Sequence, residues 1–169
     1  MRWGRTFGGA TLLLVLCAVA LPAGDAAGQT AKDMVGSWTL VSSTIAQGDK
    51  KVEPFGPSPK GAMMLDADGH FMITLTRGDL PRFAVNNREK GTPEENTAVV
   101  RGSIAYFGTY AFSEADGAMT VRIRGGTFPN WDGTEQKRLI TLSGDELTYT
   151  STNPSAGGGT ARVVWRRSK

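Results

Sequence analysis

The stretch Gly36-Ser37-Trp38-Thr39-Leu40-Val41-Ser42 decides the fold, because it has the form of the strand that opens a closed β-barrel. A glycine two residues ahead of a tryptophan lets the chain run close beneath the barrel floor while the indole plugs that end. An end plugged by a side chain leaves the other end free to admit a ligand. The expectation is an all-β fold: a single antiparallel β-barrel of about eight strands, with one helix inserted between the third and fourth strands.

Upstream of this stretch, residues 1–27 have the layout of a secretory signal peptide. Arg2 and Arg5 precede an apolar run from Ala10 to Leu21, followed by Pro22 and small residues. The run is too short to span a bilayer comfortably, so cleavage, export to a secreted or periplasmic location and no stable membrane insertion are expected. Residues 28–169 then form one β-barrel domain with a single core. Cys17, the one cysteine, falls in the leader, which leaves the mature domain without a thiol for disulfides or metal. Removing Arg2, Arg5 and Asp25 takes the net charge from +3 to +2, and the basic residues are scattered, so no nucleic-acid partner is expected.

Downstream, strands and turns alternate. The first strand covers about 37–46 and turns at Gln47-Gly48-Asp49-Lys50. Residues 52–59 carry three prolines, which keep them out of a central strand and suit a segment lying across a rim. The second and third strands, 61–65 and 70–76, flank Asp66-Ala67-Asp68-Gly69; Phe71, Ile73 and Leu75 share one face and His70, Met72, Thr74 and Thr76 the other, the alternation of an antiparallel sheet with one wet face. Thr92-Pro93-Glu94-Glu95 then starts a helix running to about Arg101. Threonine caps it, proline suits its first position, and Glu95 reaches back, so the two glutamates have a structural purpose. Five further strands follow near 104–112, 119–124, 135–142, 147–151 and 160–167.

Catalytic signatures are sparse. His70, the one histidine, sits beside a turn, and a single histidine without cysteine cannot build the usual zinc sites. Asp66-x-Asp68-Gly69 resembles the start of a calcium loop, but Arg77 stands where the closing glutamate belongs. Gly157-Gly158-Gly159 lacks the lysine of a phosphate loop. No catalytic residue, metal or cofactor is assigned on these grounds. The candidate ligand-binding residues are Tyr106, Tyr110, Asn130, Trp131 and Arg138: aromatic walls supply contact area, and phenol or amide groups orient a ligand. Arg138 shares a strand face with Ile140 and Leu142, which would put it inside the barrel, where it needs a partner or an anionic ligand.

Five motifs in order carry a family resemblance: Gly36-Ser37-Trp38; Pro54-Phe55-Gly56-Pro57 with Pro59-Lys60-Gly61; Gly91-Thr92-Pro93-Glu94-Glu95; Ala105-Tyr106-Phe107-Gly108-Thr109-Tyr110; and Phe128-Pro129-Asn130-Trp131. Together they resemble the lipocalin-like domain family of bacteria and fungi, most of whose members have no assigned activity. The resemblance implies a barrel open at one end to an apolar ligand, with Arg166 as the arginine packing on the opening tryptophan. Its expected partner is a small apolar or amphipathic molecule held inside the barrel without chemistry. Two other readings stand beside it: an isomerase or cyclase using Tyr106 or Tyr110 with Arg138, and an envelope interaction protein whose barrel is filled by its own side chains.

Overall fold

The computed structural model describes Met1 and residues 30–169. The leader expected over 1–27, Cys17 included, lies outside the described residues apart from Met1. One helical turn, α1 (Ala31–Met34), leads into β1 (Gly36–Gln47), β2 (Lys50–Val52), β3 (Lys60–Leu65) and β4 (His70–Thr76). Helix α2 (Pro93–Gly102) follows, then β5 (Ser103–Ser113), β6 (Ala118–Gly126), β7 (Glu135–Ser143), β8 (Glu146–Ser151) and β9 (Thr160–Arg167). The antiparallel sheet runs in the order β2-β1-β3-β4-β5-β6-β7-β8-β9, and β1 pairs again with β9. That second pairing closes eight strands into a barrel and removes their free edges.

The helix lies between the fourth and fifth strands, one place later than expected. Its flanking segments are the same ones, but Lys50–Val52 adds a strand by folding back on the end of β1, with Ile45 opposite Val52. Gly48, at φ +59°, makes that return tight enough for three residues to pair before the prolines begin. The helix start follows its composition: Thr92 Oγ1 accepts from the Glu95 amide at 3.3 Å, and Glu95 Oε2 accepts from the Thr92 amide at 2.8 Å. Glu95 Oε1 also accepts from the Ala84 amide at 2.7 Å, which ties the preceding loop to the helix.

Alternation along the strands fills the interior. Phe71, Ile73 and Leu75 on β4 and Met119, Val121 and Ile123 on β6 are all buried. Between β3 and β4 the turn is an ordinary hairpin: Asp66 Oδ1 accepts from the amides of Asp68 and His70, and His70 Nδ1 lies 3.1 Å from Asp66 Oδ2 on the surface.

Trp38 is fully buried at one end of the barrel, and its Nε1 donates to the Met34 carbonyl at 3.0 Å. The arginine on its ring is Arg167, not Arg166: the Arg167 guanidinium carbon stands 4.2 Å from the ring centroid. Trp38 pairs with Arg167 across β1 and β9, so both side chains share the inward face, whereas Arg166 pairs with Thr39 and is exposed. Arg167 also donates to the carbonyls of Val35 at 3.0 Å and Asp33 at 2.6 Å, holding α1 under the floor. Gly36 passes here with φ +138°, and a Cβ on it would meet Arg167 Nη1 at 3.0 Å, which explains the glycine. Arg167→Met should therefore cost about 2 kcal/mol through the lost cation–π contact and charged hydrogen bonds. In urea melts Arg166→Met should stay within about 0.5 kcal/mol of the parent, and equal losses from the two would contradict this assignment.

Candidate functional site

At the end of the barrel away from Trp38 there is a cavity of about 350 Å³. Its floor and walls come from the inward faces of the strand halves nearest that end: Ser43 and Ile45 on β1, Ile104 and Tyr106 on β5, Gln136 and Arg138 on β7, Tyr149 and Ser151 on β8, Ala161 and Val163 on β9. Cross-strand register makes these rungs, since Ile45 and Ser151 both face Ala161, while Ser43 and Tyr149 both face Val163. The rim carries Pro54 and Phe55 from the proline-rich segment, Val100 and Arg101 from the end of α2, Phe128, and residues 153–156. A turn from Glu53 to Gly56 brings Phe55 over the opening, where it is 9% exposed.

The polar chemistry is concentrated in this cavity. Ser43, Gln136, Arg138 and Ser151 are the buried polar side chains of the described residues, and all four line it. The Arg138 guanidinium carbon lies 5.3 Å from the Tyr106 ring centroid and 4.7 Å from that of Tyr149. Its Nη2 donates to Gln136 Oε1 over a long 3.4 Å, and Nε and Nη1 have no acceptor among the described residues. Burial works against the charge on Arg138, but Tyr106 and Tyr149 outweigh it, so the guanidinium stays protonated. Burial, above all, pushes the Tyr149 phenol well above its ordinary value, which keeps it neutral.

Of the five residues singled out in the sequence, Tyr106, Trp131 and Arg138 line the cavity together. Tyr106 and Trp131 meet edge to face at 5.2 Å, and Phe128 meets Trp131 in the same way at 5.6 Å. Tyr110 and Asn130 are not part of the lining. Tyr110 lies four residues further along β5, about 13 Å towards the plugged end, where its hydroxyl donates to the Asp66 carbonyl at 2.7 Å. Partial burial, then the Asp66 charge, holds its phenol above the ordinary value. Asn130 sits in a 3-10 turn (Pro129–Trp131) that turns Trp131 towards the cavity and leaves the amide exposed.

Among the lining residues that escaped the sequence reading are Ser43, Gln136, Tyr149 and Ser151. Two carried a usable signal, since Gln136 lies two residues before Arg138 on one face, and Leu147, Tyr149 and Ser151 alternate inward on β8. Among the described residues no group of three His, Cys, Asp or Glu side chains is placed to hold a metal ion.

A closed antiparallel barrel, plugged by a tryptophan at one end and holding a ligand-sized cavity at the other, is the class that this fold and site define. The chain belongs to the lipocalin-like domain family, whose profile matches residues 35–168. Among solved structures, a point mutant of the fluorescent protein UnaG is similar at 11% identity and a TM-score of 0.39, covering 83% of this chain and 99% of that one. No curated protein matches.

Proposed function

We propose that this is an exported binding protein that holds a small, largely apolar molecule inside its barrel and performs no reaction on it. The observation that carries this reading is the cavity of about 350 Å³, within the range of small-molecule sites and walled mainly by apolar and aromatic side chains. A barrel meant only as a scaffold would fill that space with its own side chains, as this one does around Trp38. The enzyme reading draws less support: Arg138 lies over the faces of Tyr106 and Tyr149, and its hydrogen bond goes to Gln136 instead of a phenol that could relay a proton.

Native mass spectrometry of the protein purified from its own source tests the proposal. A retained small molecule, released under denaturing conditions, is the expected result. Bare protein alone, together with no thermal shift across a panel of lipids and aromatic acids, would favour an envelope protein that works through its outer surface.

A further inference from the structure

The interior of this barrel holds a cation without an anion. Arg138 is 2% exposed, and no aspartate or glutamate among the described residues is buried with it. Glu135, its near neighbour in sequence, points outward, where it lies 3.7 Å from Arg122. The faces of Tyr106 and Tyr149 attract the guanidinium, but they bring no formal negative charge. Tyr149 cannot supply one by ionising, because burial keeps its phenol protonated. An isolated buried charge costs several kcal/mol, and two N–H donors without acceptors add to that cost.

The geometry points to a monocarboxylate as the ligand class, with its headgroup serving as the counter-ion of Arg138 and its apolar body lying between Phe55, Leu75, Ile104 and Trp131. This assignment rests on the pocket reading above and deepens it. A single buried cation balances a single negative charge, whereas a doubly charged phosphate would leave an unmatched charge in the same apolar surroundings. The flat guanidinium fork suits a flat carboxylate in two parallel hydrogen bonds. Gln136 is placed to complete the site: a carboxylate at the guanidinium can replace its long contact to Nη2, freeing the amide to turn its own N–H towards the ligand.

The test uses the full chain and an Arg138→Met variant. N-phenyl-1-naphthylamine, a neutral apolar fluorophore, reports on the cavity in both proteins, and decanoate and decan-1-ol, matched in chain length, compete for it. In the parent protein decanoate should displace the fluorophore at least about tenfold more tightly than the alcohol. Arg138→Met should erase that preference, weakening decanoate by about tenfold relative to the alcohol. Removing an uncompensated buried charge should not lower the melting temperature, and decanoate should raise it more for the parent than for the variant. Arg138→Lys, which keeps a point charge but loses the fork, should retain part of the preference. Fluorophore uptake with no preference for decanoate, or with one that survives in Arg138→Met, overturns the carboxylate assignment alone. Failure of both proteins to take up the fluorophore overturns the pocket reading, and the carboxylate assignment with it.

Discussion

Trp38→Ala is expected to lower the stability of the domain by about 3–5 kcal/mol, the usual range for truncating a fully buried aromatic side chain. The indole is 0% exposed, so the substitution opens a cavity at the barrel floor. Two further contacts go with it: the hydrogen bond to Met34 that anchors α1, and the ring on which Arg167 rests at 4.2 Å. Arg167 would keep its bonds to Asp33 and Val35 but lose the surface that positions it. Urea unfolding followed by far-ultraviolet circular dichroism measures the effect. A loss below about 1 kcal/mol would show that the floor closes without the indole.

The second large effect is on binding. Ala161→Phe places an aromatic ring where Ala161 now faces the cavity between Ile45 and Ser151. The space already exists, so the ring should cost little stability while taking much of the room that a ligand needs. Affinity for N-phenyl-1-naphthylamine should fall by about a hundredfold, comparable to losing the contact of a full aromatic group, with the melting temperature nearly unchanged. Undiminished affinity in a folded variant would place the binding site elsewhere. One end of the barrel, at Trp38, should therefore govern folding and the other binding.

How much of this was legible in the sequence follows from the period of a β-strand. Alternation places side chains on two faces, so the apolar faces of β4 and β6 could be read directly, and Arg138 could be grouped with Ile140 and Leu142 on a strand whose alternation is poorer. What alternation lacks is depth along the barrel axis. Tyr106 and Tyr110 share a face, yet one reaches the cavity and the other the hairpin below it, because four residues of strand separate them. The same gap hid the partners of Arg138: Gln136 is local to β7, but Tyr149 arrives from β8 through pairing register. Near the end of β9 the arginine on Trp38 depended on a single step of alternation, and choosing Arg166 over Arg167 reversed the face. Asn130 and Trp131, in a turn, follow no period at all.

The seam between β1 and β9 has a consequence for how the domain comes into being. Trp38 faces Arg167, and Thr39 touches Ser168, 129 positions further along the chain. Few contacts in a domain of this size span so much sequence, and each carries the entropy of closing a very long loop. On the ribosome the first strand must therefore wait for nearly all of the domain to be made before it can find its last neighbour. Until then the sheet is an open ribbon, with the edges of β1 and β8 both unpaired on that side.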